Sequence, residues 1–334
     1  MSTTPLGDID TQNTISDLTY RNYDGPLSNR TIRWWVVSLS VIRTNIKKPG
    51  LWITAAIILL IFIFNVLIFF ISNNVTKGLA NQSGGAVSEK IINYGSVAYE
   101  AITATSLLIT IAALIVGSGS IAADNKANAL LVYLSKPISK GDYLLGKWMG
   151  VFIVLAGLLL TPTLLMWGFF ATTYADDGFF KQEPFLLLKL IACALISPVI
   201  TTSLVVGFSS FTKNARLAGS LFAAFTFILL TLSGTLGFLL FRQSTMDQDL
   251  GNGTATVRRA ATLQNASVSG IASGLSMQIL KVDPTSVRAG GPRRLKERSL
   301  APYPIPLVLL GCLFIIVPVT LARARIRAVE VVSG

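Results

Sequence analysis

The chain has no histidine and only two cysteines. Without imidazole there is no His-based acid or base at neutral pH, no Ser-His-Asp triad and no footing for most transition-metal sites. Cys193 and Cys312 both sit inside apolar runs, where cysteine behaves as a small hydrophobe, and the pair makes no disulfide framework. Charge is scarce as well. Asp, Glu, Lys and Arg make up 13% of the 334 residues, and 52% are hydrophobic. An average soluble domain carries about 25% charged residues, so the composition excludes a water-soluble globular fold. The expected metal content is none, and no cofactor is expected to bind this chain directly.

What the chain has in abundance is long apolar runs. Six are long enough to cross a bilayer as helices: Leu51–Ile71, Ala98–Val116, Lys147–Phe170, Phe185–Phe208, Leu217–Phe241 and Ile305–Leu321. Pro162, Pro198 and Pro318 fall inside spans, where proline removes a backbone donor and kinks a helix. The expected fold is an all-α integral membrane protein with six transmembrane helices. Residues 1–29 are polar and rich in turn formers, and read as a flexible cytoplasmic tail with no signal peptide. Residues 30–49 read as an interfacial amphipathic helix, with Ile32, Trp35, Val36, Leu39, Ile42 and Ile46 on one face. Arg33, Ser40, Thr44 and Lys47 lie on another, and Arg43 and Lys48 add to its basic character. The alternative is an irregular basic lead-in. A permease domain over 50–322 and a cytoplasmic tail over 323–334 complete the chain.

The net charge of +12 flanks apolar spans, so it points to anionic lipid head groups and away from nucleic acid. Basic residues cluster before the first span, at Lys126, Lys136, Lys140 and Lys147, at Lys213 and Arg216, and at Arg323, Arg325 and Arg327. The opposite short loops hold only Lys77, Lys90 and Lys181, with Lys189 at a span edge. Both termini are therefore expected in the cytoplasm, and a bacterial or archaeal cytoplasmic membrane is the expected location. The 242–302 segment then falls outside despite its nine basic residues; long loops translocate largely regardless of charge. Within it, Ala266–Leu280 fits either a helix lying at the outer surface, the commoner arrangement, or a re-entrant membrane segment.

Three stretches imitate nucleotide motifs. Gly141–Trp148, GDYLLGKW, nearly matches G-x-x-x-x-G-K-[ST] but has Trp148 where the magnesium-binding hydroxyl belongs and no strand before it. Gly117–Ala122 imitates a dinucleotide fingerprint after a membrane helix, and Leu232-Ser233-Gly234 imitates part of an ATPase signature inside one. None is credible, so no ATPase is expected in this chain, and it is not expected to be an enzyme. Span interiors hold essentially no ionisable residue, which weakens a proton-driven carrier. Asn65, Thr103, Ser106, Thr110 and Thr202 are candidates for lining a pathway; the alternative is that such groups bond their own helices or pack between helices.

The most informative stretch is Ile121–Trp148, IAADNKANALLVYLSKPISKGDYLLGKW. Ser139 to Asp142 reads as a helix N-terminal capping box, so the third span's helix should begin near Lys140. Pro137 stops any preceding helix. Asp124 reads as the N-cap of a short helix over Asn125–Leu134, exposing Asn125, Lys126 and Asn128 and offering Leu130, Leu131, Tyr133 and Leu134 for burial. The alternative is a solvated loop with one helical turn. The same residues resemble the loop after the second span in type-2 ATP-binding-cassette (ABC-2) permeases, whose pattern is approximately I-A-x-E-x-x-x-G-T-L-x-x-L-L-x-x-P-[IV]-S-R, then G-K. Ile121, Ala122, Leu130, Leu134, Pro137, Ile138, Ser139, Gly146 and Lys147 match in register. Asp124 stands for the family's glutamate and Lys140 for its arginine, whereas Tyr133, Asn128 and Ala129 depart from it.

The resemblance implies a permease subunit of an ATP-driven exporter. Its partners would be a second permease subunit, identical or different, and separate ATPase subunits that carry ATP and magnesium. It assigns coupling to a short cytoplasmic helix over Asp124–Ser135, with Asp124, Lys126, Asn128, Leu130, Leu131, Tyr133 and Leu134, to Lys136 and Pro137 just after it, and to the Thr31–Lys48 helix. A stand-alone channel, a secondary carrier or a membrane scaffold is the alternative; the lack of intramembrane charge and of a selectivity ring argues against the first two.

Overall fold

The computed structural model describes residues 33–82, 93–127, 139–246, 253–282 and 301–326. The expected tail over 1–29 lies outside them. All regular structure in the described residues is helical. The order is α1 (Arg33–Ile46), α2 (Pro49–Gln82), α3 (Tyr94–Ala104), α4 (Ser106–Gly117), α5 (Ala122–Lys126) and α6 (Lys140–Thr173). Then come α7 (Phe179–Gln182), α8 (Leu186–Phe211), α9 (Ala215–Met246), α10 (Gly253–Gln264), α11 (Val268–Ile279) and α12 (Pro304–Arg325). Six helical segments are long and apolar enough to cross a membrane, and the protein is an all-α integral membrane protein. The bundle has a near end, where α1 and the 118–127 segment lie, and a far end, marked by Tyr94 and Tyr174.

The most buried of the six is α8, which packs against α4, α6, α9, α11 and α12. It carries the hydroxyls of Ser197, Thr201, Thr202, Ser203, Ser209 and Ser210 into the interior. Small polar side chains suit a central membrane helix because they let neighbours approach closely. Three are spent locally: Thr201 donates to the carbonyl of Ser197 at 2.8 Å, Ser203 to that of Val199 at 2.8 Å and Ser210 to that of Gly207 at 2.6 Å. Ser203 also accepts from the indole N–H of Trp148 at 3.0 Å. The stretch read as one helix over Ala98–Val116 is two, α3 and α4, parted at Thr105. The Thr105 N–H still reaches the Ala101 carbonyl at 3.3 Å, and the Ile109 N–H reaches the Thr105 carbonyl at 3.1 Å, so the axis is carried across.

The far end is closed by an aromatic cluster. Phe69, Tyr94, Phe170, Tyr174 and Phe179 meet at edge-on and tilted angles, the closest being Tyr94 and Phe179 at 4.9 Å between centroids. Such pairs add about 0.5–1.5 kcal/mol each beyond area burial. Lys189, at the edge of the fourth span, pairs there with Glu183 at 2.6 Å.

Two expectations need correction. The first concerns α1. Trp35, Val36 and Ile46 are exposed, as a lipid-facing stripe should be, but a second face carrying Val37, Ser38, Val41 and Asn45 is buried. That face packs on α6. Close approach is set by two glycines one turn apart. A Cβ at Gly146 would stand 2.6 Å from the Trp34 carbonyl oxygen, and one at Gly150 would stand 2.7 Å from Val41 Cβ. The Ser38 hydroxyl donates to the Gly146 carbonyl at 2.8 Å across this contact. So α1 is a packed element of the bundle as well as an amphipathic one.

The second concerns 242–302. Its Ala266–Leu280 part is not a surface helix. In the bundle α11 is buried through Val268, Ile271, Ala272, Gly274 and Ser276, against α3, α8 and α12. A Cβ at Gly237 of α9 would meet Gln264 Cβ at 2.6 Å, so α10 runs back along α9 from the far end. The chain turns at Asn265–Ser267 and α11 returns to Leu280, whose carbonyl lies beside Gly95. This is a re-entrant hairpin whose tip, at Val268, shares a groove with Leu230, near the middle of the fifth span. Irregular backbone at that depth is tolerated only where protein or a cavity satisfies it. Here Ser267 accepts from the Gly270 N–H at 3.1 Å, and Asn265 donates to the Ala261 carbonyl at 2.8 Å and accepts from Ser273 at 3.1 Å. The segment is only moderately apolar because it faces protein rather than lipid.

The glycine contact is directly testable. Valine at Gly150 overpacks the α1–α6 crossing, an error costing on the order of 1–3 kcal/mol, and is expected to lower the thermal midpoint in detergent by several degrees. Gly157→Ala, at a position with open space around it, is expected to leave the midpoint unchanged. Equal midpoints for the two variants would refute the packing account.

Candidate functional site

The near end between the second, third and fourth spans is where the polar chemistry gathers. As the chain leaves α4, the Ser209 hydroxyl of α8 accepts from the backbone N–H groups of Ile121 and Ala122, both at 3.0 Å, and donates to the Ser118 carbonyl at 2.8 Å. The Asn125 amide adds two long contacts to the carbonyls of Ser210 and Thr212, at 3.5 and 3.4 Å. One hydroxyl thus organises the turn, and α5 is held to the C-terminal end of α8.

From this seat Asp124 points at α6. Its Oδ2 accepts from the Tyr143 hydroxyl at 2.6 Å and pairs with the Lys147 ammonium at 2.7 Å. Tyr143 and Lys147 are one turn apart on one face of α6, and the ammonium stands 5.7 Å from the Tyr143 ring centre. Tyr143 is fully buried and Lys147 is 7% exposed. Taking a lone ammonium out of water costs several kcal/mol, so Lys147 needs its carboxylate. The start of α6 is fixed independently. Ser139 accepts from the Asp142 N–H at 3.1 Å, and Asp142 accepts from the Ser139 N–H at 3.3 Å, a reciprocal capping box. The stretch Gly141–Trp148 is therefore helix throughout, with Lys147 committed to Asp124, and it forms no phosphate loop.

Asp124 is not the N-cap expected of it. The short helix starts at Ala122, Ile121 occupies the cap, and Asp124 lies within the helix. The described helix ends at Lys126, whose side chain is exposed; the remainder of the expected Asn125–Leu134 helix, from Asn128 on, lies outside the described residues. The carboxylate is drawn away from its own backbone by the tyrosine and lysine of the third span. Asn128, Leu130, Leu131, Tyr133, Leu134, Lys136 and Pro137 lie outside the described residues. The two ends of that connection, at Ala127 and Ser139, are both anchored by the contacts above.

The basic residues of the first helix divide. Arg43 and Lys47 are exposed and Arg33 is half-buried. Lys48 turns inward, donating from Nζ to the Ile115 carbonyl in the last turn of α4 at 2.7 Å, and burial pushes its ammonium below the usual lysine pKa. A cation there also meets the negative end of the helix dipole. Tyr143, Ser209 and Asn125 carry anchoring roles that sequence reading did not assign. The available signal was Lys147 itself, a cation at the threshold of an apolar run.

The candidate pathway residues do not converge as a set. Asn65 donates to the Ile61 carbonyl at 2.9 Å and Thr110 to that of Ser106 at 3.2 Å, within their own helices. Thr103 and Ser106 do share a wall, that of a chamber of about 380 Å³ beside the hairpin tip. The Thr103 and Thr202 hydroxyls are both buried without a partner, but Thr202 lies away from that chamber, inside α8.

No curated protein matches the chain. A family model described as ABC-2 family transporter protein matches residues 35–325, from α1 through α12. Because that match spans nearly all of the 334 residues, the chain belongs to the ABC-2 transporter family.

Proposed function

We propose that this transport permease is driven by ATP hydrolysis on a separate ATPase subunit, which binds the near end and carries the nucleotide and magnesium. The near end then faces the cytoplasm, as the clustering of Lys and Arg there favours, and both termini lie on that side. A second permease subunit completes the membrane pathway, and transport runs outward. The observation that carries the reading is the Asp124–Lys147–Tyr143 cluster. It joins the connection between the second and third spans to the first turns of α6, on the stretch where α1 also rests. A push on the 128–138 connection therefore reaches α6 through a buried ion pair, and a push on α1 reaches it through the Gly146 and Gly150 contact. Asp124, Lys126 and the 128–138 residues form the receiving surface, and α1 with Arg43 and Lys47 flanks it at the membrane surface.

Reconstitution tests this. The permease with its co-purified ATPase in vesicles should show ATP-dependent transport, and transport by the permease alone would overturn the proposal in favour of a carrier. Asp124→Asn removes the carboxylate that meets the Lys147 ammonium at 2.7 Å; breaking such pairs costs on the order of 3–5 kcal/mol. Transport per ATP hydrolysed is expected to fall at least tenfold in this variant, and Asp124→Glu, which keeps the charge, to recover most of it. Full coupling in Asp124→Asn would show that the pair is only structural. Lys126→Glu, on an exposed side chain, is expected to reduce the amount of ATPase retained on the permease a few-fold without moving the thermal midpoint; unchanged retention would remove Lys126 from the docking surface.

A further inference from the structure

We infer that the chamber beside the re-entrant hairpin is a binding site for an amphiphile with an uncharged, oxygen-bearing head group. The chamber holds about 380 Å³ and is walled by α3 and α4 through Tyr99, Thr103 and Ser106, by α9 through Gly234, and by the hairpin through Gln264 and Ser269. Among the described residues, no Asp, Glu, Lys or Arg lines it. The chamber's wall carries the polar side chains of Ser106, Gln264 and Ser269. In a bilayer interior a polar group left uncompensated costs on the order of 1–3 kcal/mol, so the chamber suits something that hydrogen-bonds. A charged head would enter a wall with no counter-charge, which the bilayer penalises further. Ser269 and Gly270, in the first turn of the 12-residue α11, add the positive end of a helix dipole, which favours acceptor oxygens.

A second cavity gives the rest of the ligand a place. A groove of about 600 Å³ runs between α4 and α9, and shares Ser106, Leu230 and Ser269 with the chamber. Its further walls are apolar, including Leu107, Ile111, Leu114 and Phe227. Its threonines are already spent: Thr110 donates to the Ser106 carbonyl and Thr226 to that of Phe222. Leu107 and Phe227, at 61% and 69% exposed, leave the groove open to lipid. A polar chamber continuous with an apolar lateral groove matches a molecule with a compact neutral head and a hydrocarbon tail. The head would point to the far end and the tail to the near end, the orientation of a lipid in the far leaflet drawn toward the midplane.

The assignment of this ligand as cargo rests on the transport reading; binding itself does not. The test therefore uses the full-length permease alone, in phosphatidylcholine nanodiscs, with both native cysteines replaced by serine and Ser269→Cys as a reporter. Maleimide labelling is expected to be slowed about fivefold or more by about 5 mol% dioleoylglycerol, which would bury the reporter as a pocket buries most of its ligand, and not by equal amounts of hexadecane or dioleoylphosphatidic acid. Ser106→Ala with Gln264→Leu should abolish the protection. Gly234→Cys, on the opposite wall, repeats the measurement if Ser269→Cys is not monodisperse. Equal protection by all three additives, or none by dioleoylglycerol, overturns the site. Absence of labelling in both reporters without additive also overturns it, because the chamber is then covered by another chain. A positive result with no ATP-driven transport in vesicles would sink the transport reading and leave the site standing.

Discussion

The pair between Asp124 and Lys147 sets the geometry of the near end. A lysine about two turns into a membrane helix calls for neutralisation, and a carboxylate fixed at the right height supplies it. Asp124 is fixed because Ser209 captures the backbone of the turn before it. Lys147 is fixed because the capping box starts α6 at Lys140. Each anchor belongs to a different span, so the second, third and fourth spans are registered against one another by a few short contacts. A buried ion pair is weak evidence for added stability. Its value is positional, since a shift of one turn in any of the three helices would strand a charge.

The same logic governs the uncharged polar groups. Without water, each hydroxyl and each free backbone group has to be answered inside the protein. The central helix α8 meets this by donating to its own backbone, which leaves it smooth enough for five neighbours to pack. The hairpin meets it at its tip through Asn265, Ser267 and Ser273. The hydroxyls of Thr103, beside the chamber, and of Thr202, inside α8, are exceptions among the described residues.

The parts of the fold set by local rules were legible in the sequence. Apolar runs fix the spans, and the Ser139–Asp142 spacing located the start of α6 before its apolar part. The resemblance in 121–148 put Gly146 and Lys147 in register, although their physical roles emerged only with the structure. What was not legible depends on partners distant in sequence. Periodicity showed that α1 is amphipathic, but not that its Val37–Val41 face lies on two glycines more than a hundred residues away. Asp124 looks like a helix cap by local rule, and its true partners lie in the next span. The hairpin was hidden because burial against protein removes the need for the uniform hydrophobicity that marks a lipid-facing helix.

The fixing of α6 on two sides has a mechanical result. On one face Gly146 and Gly150 sit against α1, and on another Tyr143 and Lys147 face Asp124. A helix gripped on two faces cannot spin about its axis without losing a contact, so tilting is the motion left to it. With 34 residues at about 1.5 Å per residue, α6 is a rod of roughly 50 Å, and a tilt of about 5° about its near end would carry Phe170 and Tyr174 sideways by about 4 Å. Those two rings belong to the aromatic cluster that closes the far end. A small displacement at one surface is thereby delivered, enlarged by leverage alone, to the seal at the other.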